Sequence, residues 1–413
     1  MKKILPLIIL IIIFALSIYF YTNKNKDSKQ NVQEITFWTL QMNTYSNYIN
    51  KIINEFEIKN PNTKVIWIDI PYAEGEKRTL AAILNNNPPD LVNLTPDFSI
   101  TLAEKKALYF IPASAAEHYI KPIMRTLKYK DNYYALPFYV TSALTLYNTD
   151  IVNKAGINYI PKTYDELYKN AELIKDKTGK FVTMPTLTEN DTFLKILNKY
   201  DINSPEAIKN DKTVQIFNTY KYLYKNDLIP KESITQSHRE ALEKYMAGEI
   251  AFLSAGANFL NLIKENSPQI FKSTDVSTQL TGSLHKYDFS LMNLVIPKKS
   301  NNPELALKFA IFLTNKENQI GLSKLTSILP ANKFALNDKY FTYYDDKDII
   351  SKARVISANQ LKNIQPPMKR TNNQKEFIQI SNKYTQEIIL GKTEIKSALN
   401  EFSREWLLLA EKH

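Results

Sequence analysis

Trp38, Thr39 and Gln41 stand together at the end of a short run, Ile35-Thr36-Phe37-Trp38, that is typical of a β-strand. An indole face can stack on the flat face of a sugar ring, and hydroxyl and amide groups can hydrogen-bond its hydroxyls. The chemistry open to these residues is the binding of a small polar molecule. Trp38 could instead be a core residue of a buried strand, and the pattern leaves both interpretations open.

The elements that must position these residues follow in a regular order. Apolar residues recur at helical spacing from Tyr45 to Phe56, residues 64–70 alternate as a strand, and residues 76–84 form a helix before the strand-like segment Pro89–Leu94. Strands alternating with helices predict a parallel sheet with helices on its faces. Ligands bind such sheets at the carboxyl ends of the strands.

Asp97 comes after the third of these strands and is therefore expected on the same rim as Trp38. A carboxylate at this position is either the N-cap of the next helix or an acceptor for hydroxyl groups of a ligand. The pattern slightly favours the N-cap.

The segment from Tyr134 to Leu167 predicts a passage between two lobes. Residues 140–147 suit extended backbone, Asn148 can cap a short helix, and Gly156 can end it in a left-handed conformation. Thr163 and Glu166 form a capping box before a helix that we expect to continue to Gly179. We place the first hinge crossing at residues 136–147.

This order of elements and the short sequence motifs within it resemble the family 1 extracellular solute-binding proteins, the sugar-capturing subunits of ABC importers. The family's Y-x-L-P, L-Y-Y-N, K-A-G-I and P-x-T-W-D-E-L pieces correspond to parts of Tyr134–Gly156 and Pro161–Leu167. The other segments that resemble the family are Phe56–Pro61, Lys64–Val65, Pro89–Val92, Ala247–Phe259, Asn318–Pro330 and Ile388–Thr393. The resemblance therefore covers nearly the whole chain after the N-terminal segment.

The resemblance implies an α/β protein with the two-lobed, type II periplasmic-binding-protein fold of maltose-binding-like proteins. Each lobe would be a mostly parallel sheet flanked by helices, with the ligand cleft at the hinge. We assign residues 34–139 with 296–340 to the first lobe and residues 143–292 with 345–413 to the second.

The resemblance also extends the set of candidate ligand-binding residues. Tyr139 lies where the crossing strand of such proteins faces the cleft, and Asn258 and Phe259 stand near the position that the family usually fills with Trp. A phenyl ring can still stack on a sugar but lacks the indole donor. The expected stacking residues are Trp38, Tyr139 and Phe259, and the expected hydrogen-bonding residues are Thr39, Gln41, Asp97, Asn258 and Ser327.

Composition excludes several other classes. A chain of 413 residues predicts two domains, and its net charge of +11 permits an anionic partner. The charges are scattered, however, and no nucleic-acid-binding motif occurs, so we predict no nucleic-acid partner. There is no cysteine, the four histidines are too far apart for a local metal motif, and no phosphate-binding glycine loop occurs. We predict no cofactor and no metal.

The N-terminus predicts export. Lys2 and Lys3 precede an apolar run over residues 4–21, which is either a cleaved signal or an uncleaved membrane anchor. The anchor is favoured because only residues 15–17 offer small side chains for cleavage and the apolar run continues beyond them. Residues 1–33 are thus a signal or anchor plus a polar tether, and the rest is expected outside the cytoplasm.

We therefore predict an exported, monomeric substrate-binding protein of an ABC importer, not an enzyme, that captures a sugar or oligosaccharide by hinge closure. Its partners would be the solute, the permease subunits and, through the N-terminal helix, the membrane. One alternative is a phosphorylated solute such as a glycerol phosphate ester, which requires Lys or Arg in the cleft. Another is a membrane-anchored glycan hydrolase, which requires two carboxylates across the scissile bond. The candidate pairs are Asp345 with Asp346 and Glu189 with Asp191, although such pairs are common on solvated surfaces.

Overall fold

The computed structural model describes residues 32–368, 371 and 373–411, together with Phe14 and Ser17. The predicted signal or anchor at residues 1–33 lies outside these residues apart from Phe14, Ser17 and its last two positions. Among the residues described, no helix combines the length and apolarity needed to cross a membrane.

The first sheet has six strands, which are β1 (Gln33–Leu40), β2 (Thr63–Ile70), β3 (Leu91–Leu94), β6 (Ala135–Thr141), β11 (Ser290–Val295) and β12 (Leu329–Pro330). Their order across the sheet is β12-β6-β11-β3-β1-β2. β1 pairs in parallel with β2 and β3, whereas β11 is antiparallel to both β3 and β6.

The second sheet has four strands, which are β7 (Ala143–Asn148), β8 (Phe181–Thr183), β9 (Ile250–Gly256) and β10 (Thr274–Thr278). Their order across the sheet is β10-β7-β9-β8. β7 is antiparallel to β9 and β10, and β8 runs parallel to β9. A separate hairpin is formed by β4 (Lys128–Tyr129) and β5 (Asn132–Tyr133).

Helices cover the two sheets. Those up to the first crossing are α1 (Ser46–Lys59), α2 (Gly75–Leu84), α3 (Pro96–Glu104), α4 (Ala113–Ala116) and α5 (Lys121–Arg125). Those between the crossings are α6 (Thr149–Lys154), α7 (Tyr164–Lys169), α8 (Ala171–Thr178), α9 (Thr192–Asn198), α10 (Asp211–Lys225), α11 (His238–Met246), α12 (Phe259–Asn266) and α13 (Pro268–Lys272). The remainder are α14 (Pro303–Leu313), α15 (Lys316–Leu325), α16 (Lys339–Thr342), α17 (Ile349–Gln360), α18 (Gln374–Ile389) and α19 (Ile395–Glu411).

Both sheets are mixed, so the prediction that each would be mostly parallel is wrong. The reason is the path of the chain between them. β6 runs toward the crossing and β11 returns from it, so two strands that lie side by side run in opposite directions. The strand-helix alternation predicts the parallel pairs correctly but carries no information on the strands that return.

Each sheet has its own apolar core. In the first, the ring of Phe37 on β1 packs edge-on against Phe309 of α14, and Phe56 of α1 lies against the same ring. In the second, Trp406 of α19 is 4% exposed and packs against Phe377 and Phe402. Burial of these large rings accounts for much of the stabilisation of both layers.

The first crossing between the sheets is short. β6 ends at Thr141 and β7 begins at Ala143, so Ser142 alone separates them. On the return, Ser290–Val295 pairs with β6 and β3, which puts this strand in the first sheet, whereas our predicted division gave its first residues to the second lobe. The other lobe boundaries stay predictions.

The helix caps after the crossing follow the sequence closely. The side chain of Asn148 accepts hydrogen bonds from the first turn of α6, and Gly156 and Gly179 adopt the left-handed conformation expected of them. Thr163 caps α7, although Glu166 accepts from the backbone of Lys162 rather than of Thr163. The predicted single helix to Gly179 is divided into α7 and α8 at residue 170.

Candidate ligand-binding cleft

Trp38 and Tyr139 lie at the same end of the first sheet. Both rings pack against a small cluster of Leu40, Ile70 and Met292, which lie at the ends of β1 and β2 and on β11. Tyr139 is opposite Met292 in the register of β6 and β11. The structure therefore brings two of the three predicted stacking residues to the same end of the sheet, near the carboxyl ends of β1 and β6.

Two tyrosines that we did not predict lie at the same end of the sheet, close to Tyr139. Burial raises the pKa of Tyr139 to about 12, and the neighbouring hydroxyls of Tyr72 and Tyr45 add to the shift. Tyr72 lies in a single 3-10 turn directly after β2 and is 53% exposed, while Tyr45 is half-buried before α1. We call Trp38, Tyr45, Tyr72 and Tyr139 the aromatic rim.

The rim offers flat apolar faces and neutral hydroxyl groups. The hydroxyl of Tyr139, whose pKa burial raises to about 12, can donate as well as accept a hydrogen bond. Such a surface suits a ligand with both apolar faces and hydroxyl groups.

Thr39 does not fit the role predicted for it. It is fully buried, its hydroxyl donates to Asp69 Oδ1 at 2.6 Å, and it accepts from Trp67 Nε1 at 2.8 Å. The two Asp69 oxygens also accept from the backbone N–H groups of Met42 and Asn43 at 2.8 Å. Thr39 therefore helps to fix the loop after β1 and has no surface left for a ligand.

Gln41 lies on that fixed loop. Its side chain is exposed, and its backbone has a positive φ of 56°. Its N–H donates to the carbonyl of Ile70 at 2.9 Å, which ties the ends of β1 and β2 together. The left-handed turn holds Gln41 beside the aromatic rim.

Asp97 is not the N-cap of α3, so the interpretation that we favoured is wrong. Thr95 is the cap, since its hydroxyl accepts from the backbone of Phe98, and Pro96 takes the first helical position. Asp97 is an exposed residue of the first turn, where the helix dipole favours a carboxylate. The alternative role, as an acceptor for ligand hydroxyls, stays a prediction.

Asn258 and Phe259 lie at the edge of the second sheet that is next to the crossing, because Gly256 of β9 pairs with Ala143. Phe259 begins α12 and is half-buried, with its ring 5.1 Å from that of His238. Asn258 is exposed and its side chain turns back over Gly256, where a Cβ would be 2.5 Å from Asn258 Oδ1. The two residues form a second, separate part of the candidate cleft.

Ser327 lies close to the crossing as well. β12 pairs with β6 so that Leu329 is opposite Val140, and the antiparallel register continued backward sets Ser327 near Ser142. Ser327 is exposed, and the hydroxyl of the preceding Thr326 is used in the local turn. The exposed hydroxyl of Ser327 is thus available at the junction of the sheets.

A buried polar network joins the strands that cross. Lys199 Nζ is 2.9 Å from Asp288 Oδ2 and donates to Gln279 Oε1 at 2.8 Å. Gln279 N donates to Gln360 Oε1 at 2.6 Å, and Gln360 Nε2 donates to Ser142 Oγ at 2.8 Å. We call these five residues the crossing network. It connects the residue between β6 and β7 with the residues just before β11.

Lys199 is the charged centre of this network and is only 2% exposed. Burial lowers its pKa, and the nearby carboxylate of Asp288 opposes that shift. A buried ammonium that is hydrogen-bonded on two sides holds its partners in one arrangement. No local pattern in the sequence predicts this network, because the partners of Lys199 lie 80 residues and more along the chain.

Among the described residues, no group of three or more His, Cys, Asp or Glu side chains is arranged to hold a metal ion.

Comparisons with known proteins agree with this geometry. A family model described as bacterial extracellular solute-binding protein matches residues 42–320. The arabinooligosaccharide-binding protein of Bacillus subtilis is 23% identical over 78% of each chain. The diacetylchitobiose-binding protein of Streptomyces coelicolor is 23% identical over 74% of each chain.

Solved structures share the fold. A periplasmic-binding protein from Synechococcus sp. MITs9220 superposes with a TM-score of 0.80 and 27% identity, covering 91% of this chain and 98% of its own. The sugar-binding protein MalE of Xanthomonas citri superposes with a TM-score of 0.78 and 19% identity, covering 92% and 98%. The two-lobed, type II α/β architecture expected from the sequence is therefore confirmed.

Proposed function

Because this chain belongs to the bacterial extracellular solute-binding proteins, we propose that it captures a sugar, most simply an oligosaccharide, outside the cytoplasm and delivers it to an ABC importer. Relatives that cover about three quarters of its length are named for arabinooligosaccharide and diacetylchitobiose. Both are short carbohydrates, and they support the same class of solute here.

The observation that carries this proposal is the aromatic rim. Four rings gather at the carboxyl ends of β1, β2 and β6, beside an exposed amide at Gln41. We propose that Trp38, Tyr139 and, from the other lobe, Phe259 stack on sugar rings. Hydrogen bonds would come from Gln41, Asp97, Asn258 and Ser327, with Tyr72 as an additional contact.

Closure of the two lobes would be the mechanism of capture. The solute first binds the rim of one lobe, and the closed state gains contacts with Asn258 and Phe259 that the open state lacks. Only this difference in contact free energy can shift the population toward the closed state. Bending would be concentrated at Ser142 and just before Ser290, where the chain passes between the sheets.

A phosphorylated solute is less well supported. The aromatic rim and the other candidate contacts contain no Lys or Arg, and an anionic solute would meet the carboxylate of Asp97. Phosphate recognition normally relies on Arg or Lys donors. A hydrolase is also disfavoured, since the relatives are named as binding proteins.

The proposal is tested by titrating the full-length chain, held in a detergent without a sugar head group, with a panel of solutes. The panel contains arabino-, chito- and malto-oligosaccharides and a glycerol phosphate ester. We expect saturable binding of at least one oligosaccharide, with no cleavage product. Binding of the phosphate ester alone, or turnover of the sugars, would overturn the proposal.

We also propose that residues 4–21 direct export and that an intact N-terminus then holds the protein at the membrane. Intact-mass measurement of the protein recovered from the membrane fraction distinguishes the two fates. A mass that includes Met1 or Lys2 supports the anchor, and a mass lacking the apolar run supports a cleaved signal.

A further inference from the structure

Four lysines border one small groove at the end of the first lobe that is opposite the candidate cleft. Lys105 and Lys106 follow the end of α3, and Lys298 and Lys299 follow β11. All four side chains are exposed. The remaining residues that border the groove are Ile83, Pro88, Ala107 and Pro297.

The fold holds these two lysine pairs close together. Lys298 N donates to the carbonyl of Ala107 at 2.8 Å, and Leu108 forms a bridge with Pro297. Lys106 has a positive φ of 56°, which turns the chain sharply from α3 into that bridge. Like charges are thus gathered by backbone pairing, although they repel one another.

Within the described residues, none of the four lysines forms an ion pair. Lys299 hydrogen-bonds the side-chain oxygen of Asn86, a neutral partner. The nearby buried carboxylate of Asp90 is already bonded to Thr36 and to the loop that starts at Ser300. Among the described residues that border the groove none is acidic, and Glu104, the residue before Lys105, offsets at most one of the four charges. The groove therefore keeps an excess of positive charge.

The same end of the lobe carries two more lysines and an exposed ring. The β4-β5 hairpin lies there, because β6 starts at Ala135 opposite Val295, the last residue of β11. Lys128 and Lys130 lie over the rings of neighbouring tyrosines in this hairpin. Phe110 is 48% exposed two residues after the bridge at Leu108.

The N-terminal segment enters the lobe at this end. β1 starts at Gln33, and Asn302, three residues after Lys299, donates its side-chain amide to the carbonyl of Glu34 at 2.8 Å. The apolar run at residues 4–21 is joined to β1 by a polar stretch that contains Lys24, Lys26 and Lys29. Basic groups beside a membrane-inserted segment are attracted to anionic head groups within a Debye length, about 8 Å at physiological salt.

We propose that this end of the first lobe docks on a membrane surface through the phosphates of anionic phospholipids, with Lys105, Lys106, Lys298 and Lys299 as the contacts and Phe110 at the interface. The excess of positive charge, the exposed ring and the entry of the N-terminal segment at the same end all favour this occupant. The cleft, at the other end of the same sheet, stays open to solvent.

The test measures the acetylation rate of each lysine in the full-length chain bound to vesicles of phosphatidylcholine, with or without phosphatidylglycerol. We expect Lys298 and Lys299 to react about fivefold more slowly when phosphatidylglycerol is present. High salt should abolish the protection. Exposed lysines of the second lobe should react equally in both vesicles.

Variants distinguish docking through the four groove lysines from mere closeness of the lobe to the vesicle surface. The readout is the protection of Lys130 from acetylation. Replacing the four groove lysines by Gln should remove the protection of Lys130. The matched control replaces four exposed lysines of the second lobe by Gln, which gives the same change of charge. In this control Lys130 should remain protected. Those control positions are Lys169, Lys177, Lys209 and Lys225.

Four results would overturn the proposal. The first is equal acetylation in the two kinds of vesicle, and the second is equal loss of protection in both variants. The third is equal protection by inorganic phosphate without vesicles, which would indicate a local anion pocket. Protection by an acidic protein but not by phosphatidylglycerol would replace the membrane with a protein partner.

Discussion

The aromatic rim and the crossing network come within three residues of each other along the chain, at Tyr139 of β6 and at Ser142 just after that strand, yet they are built in opposite ways. The rim presents partly exposed rings. The crossing network is buried and pairs its charged groups with each other. The contrast teaches that ligand affinity and lobe geometry are set by different residues and can be changed separately.

The largest expected effect is on the crossing network. Lys199→Met leaves Asp288 and Gln279 without their shared donor, and removing one partner of a buried ion pair costs about 3 kcal/mol of unfolding free energy. Denaturant unfolding measures the loss. The control, Lys195→Met, breaks an exposed pair with Asp191 and should cost less than about 1 kcal/mol. Equal losses in the two variants would contradict a special role for the network.

On the rim, Trp38→Ala should weaken sugar binding by about 2 kcal/mol, roughly thirtyfold in Kd, because the principal stacking face is lost. Calorimetric titration with the best sugar of the panel gives the value. Trp406→Phe, a change in the core of the other lobe, should leave the Kd unchanged. If Trp38→Ala bound as tightly as the parent, the rim would not be the site.

Thr39→Val tests whether Thr39 stabilises the fold or binds the ligand. Loss of the buried hydroxyl leaves Trp67 without an acceptor and Asp69 without one of its donors, and should lower the unfolding free energy by about 1.5 kcal/mol. The folded variant should retain nearly the parent affinity for the sugar. A large loss of affinity without a loss of stability would return Thr39 to the ligand-binding residues.

The smallest effect is expected at Tyr72, whose ring is more than half exposed. Tyr72→Ala should raise the Kd about fivefold, corresponding to roughly 1 kcal/mol for one stacking contact. Unfolding free energy should change little. Tyr222→Ala, which removes an equally exposed ring from α10 of the second lobe, is the matched control, and a similar change in both would mean that the effect is not local to the rim.

Sequence predicts the rim better than the network for a physical reason. Strand ends are recognisable, so Trp38 and Tyr139 could be placed, and Tyr72 could have been found by applying the same rule to the end of β2. Side chains of a strand alternate between its two faces, so Ile35, Phe37 and Thr39 lie on the same face of β1. Ile35 and Phe37 are core residues. Thr39 was therefore predictable as buried.

The mistake at Asp97 had a local signal too. Thr95 precedes Pro96, and a proline at the first helical position marks the residue before it as the N-cap. For the crossing network, by contrast, no local sequence pattern predicts the contacts. Its contacts depend on the return of β11 and on the end of α17, and no pattern within a single segment encodes which distant side chains will meet.

The measurement that tests the central claim most directly is the distance between the two lobes with and without sugar. The chain has no cysteine, so Lys77→Cys in α2 and Asn261→Cys in α12 accept spin labels at two defined, exposed positions. We predict that the oligosaccharide found by titration shortens the distance between the labels, and that Trp38→Ala shifts this change to higher sugar concentration. A distance that stays the same at saturating sugar would contradict capture by closure of the lobes.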